Sequence, residues 1–319
     1  MADSTLRNAI LQRLGRFPER VPLAATFGSA RDMGDHTRTL VSYAVEANER
    51  VDAWLLRPSG DQPARGWPAI LALHQHAGQF YLGKAEPAGL SADRMYHYGL
   101  DLCRRGYLVL CPDHLCFEDR RPPEYMRIEK RALSDQGYER FAFTQRLLAG
   151  SCLQTKYLHD MVCALDLLAE LSHVNAARLG AIGHSLGGQE ALWLAWYDRR
   201  VRAAVSSCGF GRIDTIIRDA INHNYALYVP GLLELCDTDG LLAEIAPRAF
   251  LLSAGEQDAL FPIDGVRALA ASAEVAYAAC GVPERFRAII FPTGHSFPDQ
   301  VKAEAYAFLD RWLHEEAVL

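Results

Sequence analysis

The chain has 319 residues, half of them hydrophobic and 23% charged, with a formal net charge of −6. This length supports a large core, as one α/β domain or two smaller ones. The acidic balance, with a pI near 6.0, argues against a nucleic-acid partner, which calls for a basic face. No apolar run approaches the roughly 20 residues of a membrane span, and "MADSTLRNAILQRLGRFPER" lacks the charged-then-apolar pattern of an export signal. The eight cysteines, Cys103, Cys111, Cys116, Cys152, Cys163, Cys208, Cys236 and Cys280, sit among apolar neighbours without metal-ligand spacing. Buried reduced thiols and a cytoplasmic location are therefore expected.

In chain order, Leu6, Ile10, Leu11 and Leu14 recur at helical spacing, which predicts a short helical extension over about 1–36. "RTLVSYAV" and "ERVDAWLLRP" alternate and predict an antiparallel edge hairpin. "PAILALHQ", "YLVLCPD", "RLGAIGHS", "VRAAVSSCG", "RAFLLSAG" and "FRAIIFPTG" are continuous apolar runs, as expected of strands buried on both faces. Helical segments such as "DRMYHYGLDLCRRG", "TKYLHDMVCALDLLAELS" and "VKAEAYAFLDRWLHE" intervene. The alternation predicts an α/β fold: one domain over 1–319, with a mostly parallel sheet of about eight strands and helices on both faces. The charged stretch at about 118–150 and the aromatic stretch at about 210–247 break the rhythm. They are expected to be insertions that wall a site at the sheet's carboxyl edge.

"GHSLG", residues 183–187, lies between the strand "ARLGAI" and the helix "GQEALWLAWYD". Two readings compete: the glycines only permit close strand–helix packing, or they display Ser185 as a nucleophile on a sharp turn. A serine hydroxyl needs a base, and His295 in "FPTGHSFPDQ" follows the last predicted strand. An orienting acid should come between them, and "RAFLLSAGEQDALFP" supplies Asp258 after another strand, with Glu256 as a competitor. The short side chain of Asp258 in a turn suits a fixed bond to imidazole. Ser185, Asp258 and His295 then stand in the order of α/β-hydrolase triads, each after its own strand.

An oxyanion hole requires two N–H donors. Leu186, at the helix start, offers one; His76 in "LALHQHAGQF" offers the other, with Gln75 as the alternative. His74 and His76 alternate as a metal pair would, but no carboxylate or cysteine cluster accompanies them, so a metal pair is not expected. Phe80, Tyr81, Phe210, Tyr225 and Tyr228, with Gln75, are candidates for the substrate wall. Lys84 with Glu86, and Asp113 with Arg120, read as loop-bracing ion pairs.

"LHQHAG…GKAEPAG", "GYLVLCPDHLCFEDRRP", "GHSLGGQEALWLAWYDRRVRAAVSSCGF" and "IAPRAFLLSAGEQDALFP" resemble the α/β-hydrolase superfamily, and within it the dienelactone hydrolase and acetyl xylan esterase-like branch. The resemblance runs from about Val51 to the C-terminus and implies a cofactor-free Ser185–His295–Asp258 hydrolase. The dienelactone hydrolases proper use cysteine as nucleophile; the serine here favours ordinary ester cleavage of small or medium acyl groups. Lactone hydrolysis, deacetylation of sugars, peptide cleavage and a non-enzymatic binding module are the alternatives. A small-molecule ester is the expected partner, nucleic acid and membrane are not, and homo-oligomer formation stays open.

Overall fold

The computed structural model describes residues 5–122 and 133–314. Ten strands form one sheet in the order β1-β3-β4-β6-β5-β7-β8-β9-β10, with β2 paired to β3. They are β1 (Thr26–Phe27), β2 (Arg31–Asp32), β3 (His36–Glu46), β4 (Glu49–Pro58), β5 (Trp67–Leu73), β6 (Leu108–Pro112), β7 (Val174–His184), β8 (Val201–Ser207), β9 (Ala249–Gly255) and β10 (Phe286–Phe291). The contacts from β6 through β5, β7, β8 and β9 to β10 are parallel, and β3 and β4 join antiparallel.

The expected count of about eight falls short by β1 and β2, two-residue strands on β3. Their four residues are too few to show any alternation in the sequence. For the same reason the segment before residue 36 is only partly helical: α1 (Thr5–Leu14) is followed by these two strands.

The apolar runs explain the layers. Every residue of β5, β6 and β9 is buried, and alternate side chains go to opposite faces. On one face Leu71, Leu110 and Leu252 pack with α1, α4 (Leu153–Glu170), α5 (Leu186–Tyr197) and α8 (Ile263–Ala279). On the other, Ile70, Val109 and Leu251 pack with α2 (Tyr98–Arg104) and α9 (Asp299–Leu313). The two irregular stretches carry α3 (Asp135–Leu148), and α6 (Ile213–Arg218) with α7 (Thr238–Ala243). Residues 123–132 of the first stretch lie outside the described residues.

Charge ties down the loop after β5. Lys84, 2% exposed, meets Asp113 Oδ2 at 2.7 Å, Glu118 Oε1 at 2.7 Å and Asp119 Oδ2 at 2.5 Å. Burial alone would push the ammonium down; the three carboxylates more than offset it and raise its pKa. The expected Lys84–Glu86 pair does not form. A turn closed by Glu86 N–H to Gly83 O (3.0 Å) sends Glu86 to Gln75 instead. Asp113 and Arg120 do not pair through side chains either: Arg120 reaches the Asp113 carbonyl, and its carboxylate partners are Glu49 and Asp160.

Removing one member of a buried ion cluster strands the rest. Lys84→Met should cost about 3–5 kcal/mol in urea denaturation at pH 7, with part recovered at acidic pH as the carboxylates take protons. An unchanged midpoint would mean the cluster contributes nothing.

Candidate active site

The turn from β7 into α5 is tighter than any side chain would allow at its glycines. A Cβ on Gly183 would lie 2.2 Å from the Gly187 carbonyl carbon, and one on Gly187 would lie 1.9 Å from Leu73 O. Between them Ser185 adopts φ 54° and ψ −120°, a conformation unfavourable for a residue with a Cβ. Its amide donates to Ser207 O at 2.8 Å, which fixes the turn to the end of β8. The serine side chain stands at the carboxyl edge of the sheet, immediately before the positive end of α5.

His295 and Asp258 meet at that edge. His295 Nδ1 lies 2.7 Å from Asp258 Oδ2, and Asp258 Oδ1 accepts from the Leu260 amide at 2.8 Å. An ionised aspartate therefore makes Nδ1 the protonated nitrogen and leaves Nε2 as the lone-pair side. The His295 ring centroid is 4.8 Å from that of His184, the residue before Ser185, and Phe261 stacks on His295 at 6.1 Å. Glu256 turns away to Arg267 at 2.5 Å. Of the two acids, Asp258 is the one that the turn brings to His295.

Cys208 lies beside this pair, its Sγ within 4.8 Å of ligand atoms of Asp258 and His295. Burial, reinforced by Asp258, pushes the thiol up to about 12. It therefore stays protonated, donating to Ser296 O at 3.5 Å, and is no competing nucleophile.

The arm after β5 runs alongside. Leu186, first residue of α5, has an amide with no intrahelical acceptor. The Gln75 amide is turned to Glu86 Oε2 at 3.4 Å, while the His76 amide meets no protein acceptor among the described residues. Each arm side chain is anchored. His74 Nδ1–H donates to Gln75 O and its Nε2 accepts from His114 N–H; burial pushes this imidazole down to about 3. Gln75 Nε2 donates to Glu86 Oε1 at 2.8 Å, and burial pushes that carboxyl up to about 7 against the pull of the Gln75 bonds. His76 accepts from Gly78 N–H at Nδ1 and donates from Nε2 to Glu139. Both nitrogens of His74 and of His76 are thus engaged within the protein.

The predicted wall residues separate. Phe80 stacks on Phe117 and stands edge-on to His76 at 4.9 Å, and Tyr225 packs on Phe143 at 5.2 Å. Tyr81 is exposed to solvent. Tyr228 lines an apolar hollow of about 270 Å³ with Phe143, Ile213, Leu227 and Leu232. Phe210 does not belong to a wall: it is buried in the main core, edge-on to Phe250.

Four residues near the site carry no distinctive sequence signal. Tyr96 lies 4.9 Å from His184, ring to ring. His184 itself is buried and pushed well down by that burial, with His295 adding to the effect. His223 donates to Leu260 O at 3.2 Å and packs on Phe261, bracing the Asp258 turn. Glu139 receives His76. Behind Ser185, Glu190 on α5 is wholly buried and accepts from Gln154 at 2.6 Å and Gln189 at 3.3 Å. Asn224 extends this network by donating to Gln189 at 3.1 Å.

A mostly parallel sheet, a strained serine turn and an Asp–His pair at the carboxyl edge define an α/β-hydrolase fold. Residues 62–314 match the dienelactone hydrolase family, and the chain belongs to it. A Bacillus subtilis (strain 168) protein named as a hydrolase, YtaP, is 27% identical over 310 residues, covering 96% of this chain and 98% of its own. The 4-O-methyl-glucuronoyl methylesterase 1 of Wolfiporia cocos (strain MD-104) is 24% identical over 335 residues, covering 95% of this chain and 72% of its own. Among solved structures, a glucuronoyl esterase from Solibacter usitatus superposes with a TM-score of 0.69 at 18% identity, over 95% of this chain and 90% of that one. An acetyl xylan esterase from Paenibacillus sp. R4 superposes with a TM-score of 0.65 at 16% identity, over 98% and 96%. These structures share the fold.

Burial pushes the Glu190 carboxyl from 4.5 up to about 8, against the hydrogen bonds of Gln154 and Gln189. Between those values the folded chain holds a proton that the unfolded chain has shed, so stability falls as pH rises through the window. Glu190→Gln keeps an amide-bonded shape without the proton. Its urea midpoint should therefore decline less than the wild type's between pH 5 and pH 8. Equal slopes would remove Glu190 from the pH dependence.

Proposed function

We propose that the protein is a serine ester hydrolase acting on small or medium acyl esters. The observation that carries this reading is the Asp258–His295 hydrogen bond at the edge where the strained turn displays Ser185. In the proposed cycle His295 Nε2 takes the Ser185 hydroxyl proton as Oγ bonds to the ester carbonyl carbon. Asp258 holds the imidazole tautomer and stabilises the imidazolium. The amides of Leu186 and His76 receive the oxyanion. Collapse breaks the bond to the alcohol, which leaves with the proton from His295. Water then gives a proton to His295 and its oxygen to the acyl carbon, restoring Ser185 and releasing the acid.

No helix among the described residues is long and apolar enough to cross a membrane. The eight cysteines are all unpaired, which supports a reducing, cytoplasmic setting. A second reading, cleavage of esters borne on sugars, draws on the polar side chains Gln75, His76, His223 and Asn224 around the site and on the names of the methylesterase and esterase relatives.

Ser185→Ala should lower turnover of p-nitrophenyl acetate by at least about a thousandfold, with the thermal melt unchanged, and abolish labelling by a fluorophosphonate. Undiminished turnover would remove Ser185 from the chemistry. A panel of acyl chain lengths, lactones and acetylated sugars would rank the two readings.

The acid assignment has its own test. Asp258→Asn should cut kcat by about 10⁴, whereas Glu256→Gln should leave it near wild type. The reverse pattern would give the role to Glu256.

A further inference from the structure

We propose that Glu139 is a positioning residue for the oxyanion hole: its buried carboxylate clamps His76 to the second insertion and so fixes the arm whose amide receives the oxyanion. This inference rests on the serine-hydrolase reading above and names a part of the machinery that neither the motif nor the triad reveals.

The arm needs such a clamp. Beyond His76 it continues through Ala77 at φ 43° and Gly78 at φ 66°, two left-handed residues in succession, the first of them strained. A segment with that backbone keeps its amide aimed only if its side chains are held. Gly78 N–H donates to His76 Nδ1 at 3.0 Å, which puts the ring proton on Nε2. Nε2–H then donates to Glu139 Oε2 at 3.0 Å. Phe80 and Phe117 stand edge-on to the imidazole at 4.9 and 5.2 Å and leave it one orientation.

The other carboxylate oxygen points elsewhere. Glu139 Oε1 accepts from the Tyr225 amide at 3.2 Å, and the preceding residue, Asn224, donates to Gln189 on the nucleophile helix. One side chain from α3 therefore joins the oxyanion arm to the loop that is itself bonded to the helix after Ser185. Both donors of the proposed oxyanion hole are then held in a single frame.

Cost supports the assignment. Glu139 is 1% exposed and has no Lys or Arg partner among the described residues. Its neighbours include Ala142, Tyr138 and Phe143 in the satellite core with Phe80 and Phe117. An apolar side chain would pack there without the desolvation penalty of a carboxylate. Stability alone does not explain the residue; aiming His76 does.

The test is a kinetic cycle of Glu139→Met, His76→Ala and the double variant, with p-nitrophenyl acetate as substrate and thermal melts alongside. Methionine keeps the volume and removes both acceptors. Expected for Glu139→Met are a kcat lower by about tenfold to a hundredfold, KM within about threefold, and a modestly lower melting temperature, because the His76 and Tyr225 N–H groups lose their acceptor. In the His76→Ala background the same substitution should lower kcat by less than about twofold, because the partner is already gone. Glu139→Gln, whose single oxygen can still take Nε2–H, should recover part of the loss, and it decides the matter should the methionine variant fail to fold. Wild-type kcat in Glu139→Met, a kcat loss that Glu139→Gln does not relieve, or full multiplicative losses in the double variant would each overturn the proposal. Wild-type turnover that is lost in Ser185→Ala reads the underlying function separately. If the wild type cleaves no ester, both readings fall; if it does and the cycle is multiplicative, only the role of Glu139 falls.

Discussion

The contact on which the site depends is the approach of β5 to the first turn of α5. Leu73 O sits where the Cβ of any residue other than glycine at 187 would be, and β5 is paired with β7 up to Leu73–Gly183. With those backbones so close, the chain can turn from strand to helix in one residue. That residue takes a left-handed φ with its side chain outward. The glycines of "GHSLG" thus set a distance, and the distance sets the conformation of Ser185.

The same approach brings the arm after Leu73 beside the amino end of α5. In the proposed mechanism the amides of His76 and Leu186 receive the oxyanion there, and the positive end of the helix dipole adds to them. What remains is to stop the arm from moving. It is held by carboxylates: Glu86 on Gln75, Glu139 on His76. A little further along, Lys84 is locked among Asp113, Glu118 and Asp119. Buried charge is expensive, and here groups from several segments gather on the loop after β5, where the fold spends stability on geometry.

Much of this was legible in the sequence. Six of the eight long strands announce themselves as apolar runs and two by alternation, and the order of serine, aspartate and histidine follows from which runs they terminate. Turn geometry alone pointed to Asp258 rather than Glu256 as the neighbour of His295. Partner identity was less accessible. Lys84 and Glu86 look like a pair because they are two residues apart, yet a turn between them sends each to a different part of the molecule. Phe210 looked like a wall because it lies in an irregular stretch, and the chain there folds the ring inward. Glu139 was invisible for a related reason: it sits in a run dense with charge, where a carboxylate is expected to face water. Nothing in local composition tells one buried acid from its exposed neighbours.

This asymmetry has a physical basis. Hydrophobic periodicity reports which side of an element faces the core, and it sums over many residues. A polar partner is a single contact fixed by the tertiary path of two loops, so it carries no periodic signal. The strained turn belongs to the first class, because the glycines must flank the serine in sequence to flank it in space. The clamp belongs to the second: His76, Glu139 and Tyr225 lie far apart in the chain and meet only because both insertions cross the same edge of the sheet. A candidate nucleophile can therefore be read from a motif, whereas the groups proposed to aim its oxyanion donors are found by asking which buried charges have no structural reason to be there.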